Sequence, residues 1–307
     1  MNRRVLIHSV LQRVLLLALA AVLFSSALSA QTPAPAVPAQ SPPFNGIAHI
    51  AIRVQSIAAS VAFYNKLGFE EAFAMHAKDG SVSQSFIKLN DKQFIELYPV
   101  NPANPTQDKS EFMHLCFEGV DLNAIHDYYV AEGLTPIAVR TAGAGNLLFT
   151  LKGLQQFSVP QNIEYTQYMP GSLHSKDAGL HLGANRVATK MIVVTLAMQD
   201  PAAAHAFYID KLGFTPSGDF KGKRDLLNLP GNTGEMVEIV PIATLGAKSS
   251  ITLTSPDIRH SGELLEAAGI PFTDADSLTV TDPDGNLIHI WPQRPQPGDF
   301  PSQSVMK

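Results

Sequence analysis

The sequence predicts an α+β fold built from four copies of one strand, helix and three-strand unit, which we number modules 1 to 4. The first observation is a recurring helix end, in which a glycine precedes an apolar residue at Gly68, Gly133, Gly213 and Gly269. Glycine adopts the left-handed conformation that ends a helix at little steric cost. The second is a residue able to cap each helix start: Ser56, Asp121, Asp200 and Asp257. Such a repeat indicates a modular architecture.

Short apolar runs around each helix predict the strands. Module 1 then has the order β-α-β-β-β, with a helix at 56–67 and strands at 47–54, 69–73, 83–89 and 93–98. Module 2 repeats this order, with a helix at 121–132 and strands at 112–117, 136–140, 147–151 and 162–167. Module 3 begins at 190, with a helix at 201–212 and a last strand at 236–240, and module 4 begins at 250, with a helix at 258–268 and a last strand at 287–291.

The connecting segments divide the modules into two pairs. A proline-rich segment at 99–109 joins modules 1 and 2, and a glycine- and histidine-rich segment at 171–185 joins modules 2 and 3. We expect the second segment to wrap a pair of modules or to cover a cleft. The predicted boundaries are a first domain at 44–170, a linker at 171–187, a second domain at 188–293 and a tail at 294–307.

The first thirty residues resemble a secretory signal peptide. Three arginines precede an apolar run at 14–24, and small residues at 25–30 offer cleavage positions. The run is too short to span a membrane comfortably. Residues 31–43 are rich in Pro, Ala and Gln and predict an extended linker. We therefore expect a periplasmic or secreted protein that has no membrane contact once the signal is removed.

Charge and cysteine content exclude some classes of function. The chain has 22 Lys and Arg against 27 Asp and Glu, and loss of the signal would make the net charge of −5 more negative. No basic patch is evident, so a nucleic-acid partner is not expected. Cys116 is the only cysteine, which precludes an internal disulfide, and its apolar surroundings predict a buried thiol.

The sequence around the first helix carries a family resemblance. The strand His49-Ile-Ala-Ile-Arg-Val54, the pair Phe63-Tyr64 and the helix end Leu67-Gly68-Phe69 resemble the vicinal oxygen chelate superfamily, which includes glyoxalase I, bleomycin-resistance proteins and extradiol dioxygenases. Module 3 repeats the motif as Phe207-Tyr208 and Leu212-Gly213-Phe214, and module 4 has the turn Asp282-Pro-Asp-Gly-Asn286. The resemblance implies four βαβββ modules paired into two glyoxalase-like domains.

In that superfamily, paired modules form a cupped cleft, and metal ligands come from the first and last strands of each module. The matching positions in the first pair are His49, Glu96, His114 and Glu164. Two imidazoles and two carboxylates suit one divalent ion such as Zn, Ni, Co, Fe or Mn. A carboxylate ligand that loosens when substrate binds can also act as a base, and either Glu164 or Glu96 is a candidate for this catalytic role.

Two basic residues near these ligands have open roles. Arg53 shares the strand face of His49, so we expect it to point into the cleft and bind a substrate carboxylate or phosphate. The alternative is an ion pair with Glu118 or another acid. Lys88, on the strand before Glu96, is expected to be solvated.

The second pair of modules lacks the histidines. Alignment of the two Phe-Tyr motifs puts Val193 in the position of His49, and the module 4 helix puts Ser250 in the position of His114. Only Glu238 and His289 could still bind a metal there. We therefore expect the second domain to carry a degenerate site.

The resemblance implies a divalent-metal-dependent lyase or isomerase of the glyoxalase type, acting on a small oxygen-bearing substrate through an enediolate. Predicted export argues against glutathione-linked chemistry, which belongs chiefly to the reducing cytosol. One alternative is an extradiol-type ring-cleaving dioxygenase, although those enzymes use two His and one Glu, normally in the C-terminal pair. Another is a non-enzymatic, resistance-type protein that binds a small molecule. We expect a monomer or a homodimer.

Overall fold

The computed structural model of the chain describes residues 40–293, except 157–158, 218–223, 232 and 275–276. The predicted signal peptide, most of the linker that follows it and the C-terminal tail lie outside the described residues. Within the described part, no helix has the length and apolar character needed to cross a membrane.

Modules 1 and 2 supply the strands of one sheet. Module 1 contains β1 (Phe44–Val54), α1 (Ile57–Lys66), β2 (Glu71–His76), β3 (Val82–Lys88) and β4 (Phe94–Pro99). Module 2 contains β5 (Glu111–Gly119), α2 (Leu122–Ala131), β6 (Arg140–Thr141), β7 (Leu147–Gln155) and β8 (Pro160–Gln167). A short helix, α3 (Leu173–Lys176), follows in the connecting segment.

Modules 3 and 4 repeat the arrangement in a second sheet. Module 3 contains β9 (Lys190–Met198), α4 (Pro201–Asp210), β10 (Thr215–Pro216), β11 (Leu226–Asn228), β12 (Met236–Pro241) and the short α5 (Ile242–Leu245). Module 4 contains β13 (Ser250–Ser255), α6 (Ile258–Ala267), β14 (Thr273–Asp274), β15 (Leu278–Thr281) and β16 (Leu287–Pro292).

Each sheet has eight strands, and its two modules meet at the centre. The order in the first sheet is β2-β3-β4-β1-β5-β8-β7-β6, and the second sheet has the equivalent order β10-β11-β12-β9-β13-β16-β15-β14. Strand β1 pairs in parallel with β4 of its own module and antiparallel with β5 of the next. The predicted fold class, four βαβββ modules in two pairs, is confirmed, whereas the exact domain boundaries stay a prediction.

The predicted helix signals are confirmed in all four modules. The capping side chains accept hydrogen bonds from backbone N–H groups three residues on: Ser56 from Ala59, Asp121 from Ala124, Asp200 from Ala203 and Asp257 from His260. The four terminating glycines have φ between 68° and 81°.

The strand predicted at 136–140 is the clearest error in the secondary structure. Only Arg140–Thr141 pairs as a strand. Before it, the backbone N–H of Ile137 donates to the carbonyl of Thr150 at 3.0 Å. Pro136 has no N–H to donate, and a proline within a run is a known reason for weak pairing.

The connecting segment wraps module 1 through a buried lysine. Lys88 is fully buried, and its ammonium lies 2.7 Å from Oδ2 and 2.6 Å from the backbone carbonyl of Asp177. Asp91 supplies a second carboxylate at 2.8 Å. The expectation of a solvated Lys88 is therefore wrong, because the segment after β8 lays a carboxylate over β3.

The glycine that ends α1 also contacts this segment. A Cβ at Gly68 would lie 2.7 Å from the Cα of Arg186 and against the carbonyl oxygen of Asn185, whereas a Cβ at Gly133 would meet no atom within 4 Å. Both glycines have φ near 80°. The two positions therefore differ in packing and not in backbone conformation.

We predict that Gly68→Ala destabilises the protein more than Gly133→Ala. Each change incurs the left-handed strain of about 1–2 kcal/mol, and Gly68→Ala adds about 1–3 kcal/mol because two backbone segments must move apart. Urea unfolding of both variants measures the difference. Equal losses of unfolding free energy would contradict the close approach of residues 185–186 to α1.

Candidate metal centre

The four predicted ligands lie on the four central strands of the first sheet. Across β4, β1 and β5, the register aligns Glu96 with Ala51 and Ala51 with His114. In the neighbouring row, His49 aligns with Cys116 and Cys116 with Glu164 on β8. Exchange of the two modules turns one row into the other. Each module therefore contributes one His and one Glu, and so does each row.

Small side chains at the middle of each row leave room for the ligands to converge. Ala51 separates Glu96 from His114, and Cys116 separates His49 from Glu164. Both small residues are fully buried. Cys116 is thus a buried thiol, as predicted, but it lies on the face of the ligands. Burial, together with the Glu164 and Glu96 carboxylates, raises the pKa of this thiol well above its ordinary value.

The ligand atoms converge on one point. His49 Nε2 lies 3.2 Å from His114 Nε2, 3.4 Å from a Glu96 oxygen and 3.3 Å from a Glu164 oxygen. His114 Nε2 lies 3.9 Å from Glu96 and 3.8 Å from Glu164. Nitrogen and oxygen ligands lie about 2.0–2.2 Å from a zinc-like ion, so atoms that share an ion lie roughly 3–4 Å apart. The donor set therefore fits a divalent cation.

The electrostatics of the metal-free protein also favour cation binding. Burial lowers the pKa of His49 to about 3 and that of His114 to about 4, so both rings are neutral and can offer a lone pair. Burial and the nearby Glu164 carboxylate raise the pKa of Glu96 well above its ordinary value. A bound cation would favour the ionised form of Glu96, because its charge compensates that of the buried carboxylate.

Three of the four predicted ligands, His49, Glu96 and Glu164, line a cavity of about 210 Å³. Its wall includes side chains from β2, β3, β4, β7 and β8 and from the connecting segment, among them Met75, Gln84, Tyr98, Leu148, Tyr168 and His174. Polar, aromatic and apolar side chains share this wall. A cavity of about 150 Å³ holds benzene, so this one accommodates a small molecule of roughly ten heavy atoms.

Solved structures with the same fold come from two kinds of enzyme. Homoprotocatechuate 2,3-dioxygenase from Arthrobacter globiformis is 16% identical with a TM-score of 0.59, and the match covers 86% of this chain and 85% of that one. The Mn(II)-bound glyoxalase from Novosphingobium aromaticivorans is 14% identical with a TM-score of 0.59, covering 81% and 82%. At these identities the likeness establishes the fold alone.

Residues 46–155 match the family model of the Glyoxalase/Bleomycin resistance protein/Dioxygenase superfamily. This part of the chain, module 1 and most of module 2, is therefore similar to that superfamily. No curated protein sequence matches the chain. The matched residues include three of the four predicted ligands, His49, Glu96 and His114, and Glu164 follows on β8.

The second sheet has the same register with different side chains. Strand pairing puts Val193 at the position of His49, Ser250 at that of His114, Glu238 at that of Glu96 and His289 at that of Glu164. The residue assignments made from the sequence motifs therefore agree with the register. His289 Nδ1 lies 2.8 Å from the hydroxyl of Thr279.

In the second sheet an arginine guanidinium forms an ion pair with the glutamate carboxylate. Arg224 contacts both oxygens of Glu238 at 2.5 Å and lies over the ring of Trp291 at 4.9 Å. The equivalent residue in the first sheet is Gln84, whose amide donates to Glu96 at 2.8 Å. A neutral donor leaves the charge of Glu96 available to a metal, whereas Arg224 compensates the charge of Glu238.

Arg53 has a partner outside the cavity wall. Its guanidinium pairs with the carboxylate of Glu111 on β5, and its side chain is buried. The sequence left an ion pair with Glu118 or another acid as the alternative role of Arg53, and the acid in this pair is Glu111. A role in substrate binding stays a prediction. The cavity wall includes a different arginine, Arg140, which is exposed at the start of β6.

Three further wall residues were missed because they carry no motif. Gln84 and Tyr98 both contact the Glu96 carboxylate, at 2.8 and 3.2 Å. His174 comes from the connecting segment, and its proximity to the ligands depends on how that segment folds back. The alternation of strand faces would have placed Tyr98 beside Glu96, but it gave no reason to select Gln84 or His174.

We predict that His49→Ala and Glu164→Ala each lose bound metal. Removal of a ligand should weaken divalent-ion affinity by more than the roughly 10–100-fold expected for an outer hydrogen-bond partner. His289→Ala, at the Glu164 position of the second sheet, is the matched control and should retain wild-type metal content. Elemental analysis after dialysis against Zn²⁺ measures the stoichiometry. Equal metal content in all three variants would contradict this assignment.

We also predict that Gln84→Arg abolishes metal binding without unfolding the protein. The new guanidinium should pair with Glu96 as Arg224 pairs with Glu238, and its charge should repel a divalent ion. Gln84→Glu is the control for a change of charge with similar size, and it should retain metal. Calorimetric titration with Zn²⁺ and circular dichroism test binding and folding. A Gln84→Arg variant with wild-type affinity would disprove the argument from charge.

Proposed function

We propose that the chain is a divalent-metal-dependent enzyme, a lyase or isomerase of the glyoxalase type, that acts on a small oxygen-bearing substrate through an enediolate. The observation that carries the proposal is the convergence of two neutral histidines and two glutamates at one cavity, with donor atoms 3.2–3.9 Å apart. A divalent ion held there would supply Lewis-acid polarisation of a carbonyl. Zn, Ni, Co, Fe and Mn all remain compatible with these ligands.

Glu164 is the better candidate for the base that removes a proton beside the carbonyl. The side chain of Glu164 is 15% exposed, against 6% for Glu96. Glu96 is held by hydrogen bonds from Gln84 and Tyr98. Both carboxylates line the cavity in which a substrate would lie, and a carboxylate that must move between metal binding and proton transfer benefits from fewer restraints.

Predicted export supports a substrate other than a glutathione conjugate. A signal peptide would carry the protein to the periplasm or outside the cell, where free reduced glutathione is scarce compared with the cytosol. The cavity of about 210 Å³ also favours a small molecule. We therefore propose an exported enzyme that works on a short hydroxy-carbonyl compound.

Extradiol ring cleavage is the second candidate. Its support is the fold shared with homoprotocatechuate 2,3-dioxygenase over 86% of this chain. The resemblance implies two His and one Glu in the C-terminal pair for that chemistry, whereas here the competent pair is N-terminal and includes Glu96. A non-enzymatic binding protein is the third candidate, since binding requires no base.

We predict that the metal-loaded protein catalyses exchange of the α-proton of small hydroxy-carbonyl compounds, with dihydroxyacetone as the first probe. Proton NMR in deuterated water measures the exchange rate. Glu164→Gln should lower the rate by about 10²–10⁴-fold, the usual contribution of a positioned base. His289→Gln, at the equivalent position of the second sheet, should leave it unchanged.

Parallel assays separate the alternatives. Oxygen uptake with catechols by the Fe²⁺- or Mn²⁺-loaded protein, without α-proton exchange, would favour the dioxygenase and contradict the proposal. Metal binding without exchange or oxygen uptake across a panel of hydroxy-carbonyl compounds and catechols would favour a binding protein.

A further inference from the structure

His174 combines burial with an unused hydrogen-bonding atom. The residue is 5% exposed and lies in α3, in the segment that connects modules 2 and 3. It lines the same cavity as His49, Glu96 and Glu164. Its Nδ1 lies 2.8 Å from the side-chain amide nitrogen of Asn146, whereas its buried Nε2 has no hydrogen-bond partner among the described residues. Such an atom is costly unless something binds it.

The hydrogen bonds of Asn146 determine which ring nitrogen carries the proton. The backbone N–H of Met169 donates to Oδ1 of Asn146 at 3.2 Å, which identifies that atom as the oxygen. The amide nitrogen of Asn146 therefore donates to His174, and Nδ1 of His174 accepts. A neutral ring that accepts at Nδ1 has its proton on Nε2.

The surroundings keep this ring neutral and immobile. Burial, reinforced by the neighbouring His49, lowers the pKa of His174 to about 3. The ring stacks on Tyr168, with centroids 4.8 Å apart and planes 17° apart. Three phenylalanine rings contact it edge to face, at centroid distances of 4.8–5.3 Å: Phe73, Phe86 and Phe94. Packing thus fixes the ring, and the neutral ring donates only through Nε2–H.

We propose that His174 donates its Nε2–H to a substrate oxygen on which negative charge develops, once the side chains that cover this atom in the ligand-free protein move aside, and that Asn146 is the residue that positions and polarises it for this role. The inference rests on the proposed function, because it needs a substrate in the metal cavity. It specifies the substrate further: beyond the oxygens that face the ligands, the substrate presents a hydrogen-bond acceptor to His174. A preorganised N–H donor stabilises a developing oxyanion without reorganisation during the reaction.

The tautomer is tested first, in the metal-free protein. Histidine ¹⁵N NMR, with the His174 signal assigned from its absence in His174→Phe, should show the Nε2–H tautomer at pH 7. Asn146→Asp should move the proton to Nδ1, because a carboxylate oxygen in place of the amide nitrogen can only accept. An Nδ1–H tautomer or a charged ring in the wild type would overturn the proposal.

Binding of acetohydroxamate, a small anion with two adjacent oxygens, to the Co²⁺-loaded protein tests the donor itself. Titration followed by the visible cobalt spectrum should show affinity at least about tenfold weaker in both Asn146→Asp and His174→Phe, as expected for loss of a hydrogen bond to a charged oxygen. His174→Phe removes the donor without adding charge, so agreement between the two variants excludes simple repulsion. His181→Gln, in the same connecting segment but outside this cavity wall, is the control and should bind like the wild type.

The outcomes separate this inference from the proposed function. Co²⁺ content equal to the wild type, with unchanged hydroxamate affinity in both variants, would overturn the role of His174 and leave the metal enzyme intact. Failure of the wild type to bind Co²⁺ would overturn the proposed function and this inference with it.

Discussion

The register between β1 and β5 is the constraint on which the site depends. These two strands join the modules at the centre of the sheet, and their pairing puts His114 beside Ala51 and His49 beside Cys116. A shift of one residue would turn one histidine to the opposite face of the sheet. Because β4 and β8 pair in parallel with the same two strands, their glutamates follow from the central pairing. One antiparallel register therefore assembles all four ligands.

The sequence predicted what depends on local signals or on repetition. Caps and terminating glycines act within one turn of a helix, and the ligand candidates lie at equivalent places in modules 1 and 2 that the family resemblance points to, so both could be recognised without coordinates. The pairing of Arg53 with Glu111, the burial of Lys88 and the approach of His174 could not be. Each of these depends on a contact between residues far apart in sequence, and no periodicity encodes such a contact. The short β6 was misjudged because Pro136 weakens pairing in an otherwise apolar run.

The two sheets have the same strand arrangement but different charged groups around the equivalent glutamate. Both keep a glutamate at the same place on the last strand of the odd-numbered module, Glu96 in one and Glu238 in the other. Where two neutral histidines are present, the glutamate receives only neutral donors. Where Val193 and Ser250 stand instead, Arg224 and the hydroxyl of Thr195 satisfy it. A buried carboxylate needs a compensating partner in either case, and the identity of that partner decides between a metal ligand and a structural ion pair.

The sheet without the histidines contributes to the cavity through the connecting segment. Asp177 anchors the segment to Lys88 near its start, and the backbone N–H of Val187 donates to Leu67 near its end. The carbonyl of Val187 in turn accepts from the hydroxyl of Ser261 at 2.7 Å, on a helix of module 4. The segment that presents His174 to the cavity is therefore held from both halves of the chain. The second half of the chain thus supports, from outside the cavity, the segment that forms one of its walls.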